Sequence, residues 1–179
     1  MLFNQLVSNK LHSLFTEYGL IMTEQINNTV RYESSIIHIS LVYNIRENSN
    51  YFWLGTKSSN IFVEMNNEVM RDFFYSDLKL EHLSQEDFVN NIFLFFTNEG
   101  KRILQGDKSQ LNKLIKFDQH RSERYTAKLL ESQNLEAANK AWQEENYSGF
   151  VKHLDKLNVA ILPASFRKKY EIAKKRLSK

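Results

Sequence analysis

Residues 35–45 read SIIHISLVYNI, and the rhythm of this stretch decides the fold. Ile37, Ile39, Leu41, Tyr43 and Ile45 share one parity, while His38, Ser40 and Asn44 share the other. Successive side chains of a strand point to opposite faces, so the alternation implies a strand with one buried and one wetter face. Downstream, RENSN (46–50) is a turn cluster, YFWLGT (51–56) resumes an extended run of aromatic β-formers, KSSN (57–60) turns again, and IFVEM (61–65) gives another strand. Upstream, LIMTEQ (20–25) and TVRYES (29–34) are short extended segments separated by a turn at Asn27-Asn28. Together these predict an antiparallel meander of four or five strands.

Outside the meander the apolar spacing becomes helical. Leu2, Leu6, Leu11, Leu14 and Phe15 predict a leading helix over 2–17, stopped by Gly19. NEVMRDFFYSDL (67–78) reads as a short helix. LSQEDFVNNIFLFF (83–96) opens with Ser84 and places Asp87 three residues later, the pairing that caps a helix start. Phe88, Ile92, Phe95 and Phe96 then fall at i, i+4, i+7 and i+8, a strong core stripe, and Gly100 and Gly106 break the pattern. From 107 to 133 one helix is expected, with patches at Leu111, Leu114 and Ile115 and at Tyr125, Leu129 and Leu130 around an all-polar middle, DQHRSER (118–124). A break near Asp118 would make it two.

The fold class is therefore α+β: a leading helix, a meander covered by helices on one face, then a helical hairpin and a closing helix. The expected division is an α+β core over 1–106 and a helical region over 107–179 packed on it as one continuous unit. In that hairpin Leu135, Ala138, Ala141 and Trp142 form one stripe and Phe150, Val151, Leu154 and Leu157 the next, and Pro163 opens the final helix with Phe166, Tyr170, Ala173 and Leu177.

Ala138, the corner Glu145-Asn146-Tyr147, Phe150 three residues beyond and the closing Pro163 make this segment similar to a tetratricopeptide repeat. Phe150 stands where such repeats carry a small alanine, and the corner glycine is missing. A single copy covers about a quarter of the chain, whereas repeat grooves need several stacked copies, so the resemblance implies no peptide-binding residues. The whole layout also resembles small bacterial α+β proteins, including immunity proteins that neutralise a toxin.

The chain has 179 residues, 42% hydrophobic and thirteen of them Phe, enough for a substantial core. The absence of cysteine excludes thiol nucleophiles, disulfides and thiolate metal sites. The first twenty residues lack the plan of a signal peptide, and no apolar run approaches the ~20 residues of a membrane span. A soluble, cytoplasmic protein is expected. The net charge of +3 is uneven: residues 164–179 hold seven Lys or Arg and one Glu, leaving 17 basic and 20 acidic side chains elsewhere.

No glycine-rich phosphate loop, no G-x-S-x-G and no paired-histidine metal motif occurs, so no cofactor or metal is expected. His38, in mid-strand, would become a base only if a carboxylate approached it. Glu64 and Glu68 straddle the strand-to-helix boundary and need not share a face. His120, Arg121 and Arg124 form a polar cluster able to grip a phosphate or an acidic partner. Arg167, Lys168, Lys169, Lys174 and Lys175, with Arg176, line the final helix off its apolar stripe, a candidate anion-binding face. The reading that follows is a non-catalytic protein acting by protein–protein binding, of the immunity type or another. The alternative is a nucleic-acid-binding or regulatory protein using the basic helix.

Overall fold

The alternation at 37–41 is realised as the middle of a five-stranded antiparallel sheet. The structure, a computed structural model, describes residues 2–57 and 61–178, so most of the expected turn at 57–60 lies outside the described residues. Strands β1 (Ile21–Ile26), β2 (Thr29–Glu33), β3 (Ile37–Asn44), β4 (Ser49–Thr56) and β5 (Phe62–Glu64) lie side by side in chain order. The helices are α1 (Phe3–Glu17), α2 (Asn67–Asp72), α3 (Gln85–Thr97), α4 (Lys101–Leu104), α5 (Lys108–Gln143), α6 (Tyr147–Leu154) and α7 (Ala164–Leu177), with a 3-10 turn at Val159–Ile161. The fold is α+β, as the sequence implied. It divides into two units, Met1–Gln119 and His120–Lys179. The change of character expected at 106/107 precedes this division, which falls inside α5.

In the first unit, Asn27 and Asn28 both take positive φ, 48° and 60°. A two-residue hairpin of this kind matches the twist of its strands, and asparagine tolerates the left-handed region better than most residues. Ile37, Ile39 and Leu41 are buried as their parity requires, but Ile45 lies beyond the ladder, which ends at Asn44, and is 67% exposed. Buried Val30, Tyr32, Phe52, Leu54 and Val63 complete the dry face.

Helices α1 and α3 cover that face. The buried stripe of α1 is Phe3, Val7, Leu11 and Phe15, while Leu2 precedes the helix and is exposed. Ser84 caps α3 by accepting the Asp87 amide at 3.1 Å. The apolar faces meet ring on ring: Phe15 sits 4.8 Å from Tyr32 and 5.2 Å from Phe96, and Phe96 sits 5.6 Å from Phe52. Edge-on pairs of this kind add about 1 kcal/mol each beyond the area they bury. The first turns of α5 join this core through Leu111, Leu114 and Ile115.

One expectation about α5 needs correction. The helices expected over 107–133 and from Asn134 onward are one helix of 36 residues. Between Gly106 and Gln143 there is no glycine or proline to end it. Tyr125, Leu129 and Leu130, the second apolar patch read on this helix, are exposed, whereas Leu111, Leu114 and Ile115 are buried.

The second unit has its own core of Ala138, Ala141, Phe150, Leu154, Leu162, Tyr170 and Ala173. The end of α5 and α6 form the expected hairpin, turning at Glu145 (φ 56°) and capped by Asn146, whose side chain accepts the Gly149 amide at 2.9 Å. Pro163 sits at the N-cap of α7. Tyr170 donates its hydroxyl proton to Asp155, tying α7 to the end of α6.

Candidate functional site: the open face of the sheet

The side chains opposite the helical layer form three rows across the strands, fixed by the register. Ile26, Thr29, Val42 and Tyr51 make the first row, Glu24, Arg31, Ser40, Trp53 and Glu64 the second, and Glu33, His38, Gly55 and Phe62 the third. A bulge between Met22 and Glu24 resets the alternation of β1, so that Ile21 also stands on this side, opposite Glu33. Ile21, Ile26 and Phe62 are exposed, and Val42, Tyr51 and Trp53 are half-buried.

The third row depends on its glycine. A Cβ built on Gly55 would meet the Ile61 carbonyl oxygen at 2.3 Å and the Phe62 ring at 2.7 Å. The missing side chain lets Phe62 lie across β4 and meet the His38 ring at 4.8 Å, nearly edge-on. On the other side of His38, the Glu33 carboxylate lies 3.0 Å from Nδ1, and Lys57 approaches its second oxygen at 2.9 Å. A carboxylate only accepts, so Nδ1 carries the proton and donates it. Lys57 first, and His38 after it, hold the Glu33 carboxyl below its ordinary value. Arg31 makes a separate ion pair with Glu24.

Tyr51 and Trp53 stack on each other with ring centroids 5.3 Å apart and planes 12° from parallel. The Tyr51 hydroxyl donates to Glu47, and that hydrogen bond raises the phenol's pKa. Glu64 is the cross-strand partner of Trp53 and is exposed. The opposite, dry face carries one further titratable group of note: burial pushes the Tyr32 hydroxyl up to about 12, with His12 Nδ1 3.3 Å from it.

Sequence reasoning singled out His38 but not the carboxylate that approaches it. It treated 51–56 as an extended run without separating Tyr51 and Trp53 from buried Phe52 and Leu54, although their parity distinguishes them. The open groove at the β3–β4 turn, about 840 Å³ and reaching Ser84 and Glu86, is lined by other residues than His38, Glu33 or Lys57. Among the described residues no group of three His, Cys, Asp or Glu is placed to hold a metal ion, and no helix is long and apolar enough to cross a membrane.

The polar cluster on α5 and the basic residues of α7 named from sequence lie in the second unit. His120 faces Glu123 at 3.4 Å on α5, and Arg124 is exposed one turn beyond His120; Arg121 is half-buried. On α7, Lys169 lies 5.3 Å above the Trp142 ring, Lys174 lies 4.4 Å above Tyr170, and the Arg176 guanidinium lies 4.6 Å above Tyr147. Arg167, Lys168 and Lys175 are exposed. Half of the basic helix is thus engaged with rings of its own unit. Glu64 and Glu68 fall on β5 and α2.

No protein-family model matches the chain, and neither a curated protein nor a solved structure matches it significantly.

Proposed function

We propose that the protein is a non-catalytic binding module whose open sheet face holds another protein. The observation that carries this reading is the make-up of that face. Ile21, Ile26, Val42, Tyr51, Trp53 and Phe62 stand on it among charged groups, Glu24 with Arg31 and Glu33 with Lys57, that already engage one another. Interface centres are enriched in Tyr, Trp and Phe, with polar groups around them. The lowered Glu33 carboxyl is a weak base, which favours an anchoring role for the Glu33–His38 pair over proton transfer.

An immunity protein, which neutralises a toxin by covering it, is the specific form of this reading. The second unit is read as one tetratricopeptide-like hairpin closed by α7, supported by fully buried Ala138 and the Glu145–Asn146 corner. The test uses wild type and Trp53→Glu as baits, with circular dichroism as the folding control. A partner retained by wild type, lost on Trp53→Glu and reconstituted from purified components by calorimetry is expected. Partners that all bind both baits with equal affinity would end the reading.

A second reading, nucleic acid on α7, is favoured by the segregation of charge. The first unit holds 11 basic and 14 acidic side chains, and the second 13 basic and 7 acidic. Binding by such a surface falls steeply with salt. A gel shift with random DNA and RNA tests it, and no shift at low salt removes it.

A further inference from the structure

The charges of the open face are not evenly matched. Arg31 engages Glu24, and Lys57 and His38 engage Glu33, so β1 to β3 hold their carboxylates in pairs. Glu47 and Glu64 lie toward β4 and β5, and among the described residues neither pairs with a Lys or Arg. The Tyr51–Trp53 stack stands beside both of them: Glu64 is across the strand from Trp53, and Glu47 accepts the Tyr51 hydroxyl at 2.5 Å.

Two aromatic rings flanked by two carboxylates attract a cation, because the ring faces and the acids present the same sign of charge. A phenol that donates to a carboxylate also gains electron density in its ring, which strengthens that attraction. Among cations the arrangement suits a planar one. A guanidinium can lie flat on the indole while its N–H fork reaches a neighbouring carboxylate, whereas an ammonium acts as a point charge. The chain uses the same contact within its second unit, where Arg176 covers Tyr147.

We propose that Trp53, Tyr51 and Glu64 form a site for an arginine side chain of the protein partner, an inference that rests on the binding-face reading and names the chemistry of what binds. The local charge commits the site to a basic segment of that partner, anchored by the arginine on Trp53 with Glu64 as its counter-ion.

The test is a titration of the full chain, followed through the two tryptophan indole N–H resonances, with acetyl-Gly-Arg-Gly-Arg-Gly-amide and its lysine and citrulline counterparts. The arginine peptide is expected to shift the Trp53 signal saturably and to leave Trp142 in place as an internal control. The citrulline peptide, of equal shape but neutral, leaves Trp53 unmoved, and the lysine peptide binds about threefold more weakly. Glu64→Gln weakens the arginine peptide about fivefold without disturbing the fold, since the side chain is exposed. Equal shifts with citrulline, an unchanged affinity in Glu64→Gln, or no shift at all would overturn the site. Self-association abolished by Trp53→Leu in sedimentation would assign the face to a second copy and also overturn it. A partner that is lost on Trp53→Glu yet indifferent to replacement of its own arginines sinks the arginine site and leaves the binding face standing. An arginine-specific shift without any Trp53-dependent partner does the reverse.

Discussion

The core of the first unit is rich in phenylalanine rings and that of the second mixes alanines with fewer large side chains, and the contrast explains how each carries its exposed aromatics. Phe3, Phe15, Phe52, Phe74, Phe88, Phe95 and Phe96 are buried in the first unit, so its sheet has a thick dry layer on one side. The second unit buries Ala138, Ala141 and Ala173 beside a single phenylalanine, Phe150. Small side chains let helices approach closely but remove little apolar area from water, so rings at the margin matter more. Trp142 and Tyr147 lie there, covered by Lys169 and Arg176 from α7. In the first unit the core is complete without Tyr51 and Trp53, which remain on the outer face.

The sharpest way to break this comparison is to empty each core at one phenylalanine. Phe96→Ala is expected to cost about 4–5 kcal/mol, the upper part of the range for a buried phenylalanine, because three other rings enclose it. Phe150→Ala is expected to cost about 3 kcal/mol, since among the described residues one ring, Trp142, packs on it where Phe96 has three, and alanines share its core. Each unit holds one tryptophan, so urea unfolding followed by Trp53 in a Trp142→Phe background, and by Trp142 in a Trp53→Phe background, reads the two losses separately. Equal losses, or the larger one at Phe150, would show that the thinner core is the tighter.

Core positions were legible in the sequence where a period was long enough to count. Phe88, Ile92, Phe95 and Phe96 announced α3, and Ile37, Ile39 and Leu41 announced β3, because a single element sets those spacings. The continuity of α5 was obscured by composition: DQHRSER has no apolar residue to mark a face, and a helix persists where nothing breaks it. Parity could have found Tyr51 and Trp53. The contact of Phe62 with His38 could not be seen, since it needs the pairing of β3 with β4, of β4 with β5, and the empty space over Gly55. Glu33 meets His38 through the β2–β3 register, which follows from how tightly residues 34–36 turn and is not a period in either strand.

The open face can be tested apart from the core through Gly55. Gly55→Ala is expected to cost about 2 kcal/mol, because the new methyl would lie 2.3 Å from a backbone oxygen and β5 must move to admit it. Thermal unfolding measures the cost. Displacement of Phe62 should also alter the chemical shifts of the His38 ring protons, to which it is now edge-on. A loss well under that figure would mean that β5, only three residues long, yields freely and holds Phe62 in place only weakly.

The smallest expected effect belongs to Glu33, and its sign distinguishes a charge pair from a packing contact. The folded carboxyl titrates below its ordinary value of 4.5 because Lys57 and His38 stabilise the anion. The folded state therefore binds fewer protons than the unfolded state as pH falls through this range. The stabilisation is fully present above about pH 4.5 and is lost as pH drops through the folded value. Glu33→Gln keeps the shape and removes the charge. At neutral pH it should lower stability by less than about 1 kcal/mol, as expected for a pair that water still reaches. The gap between wild type and variant should shrink in urea titrations carried from neutral pH to well below the ordinary carboxyl range. A gap that stays constant across those titrations would mean that the hydrogen-bonding shape of residue 33, and not its charge, holds the His38 ring against Phe62.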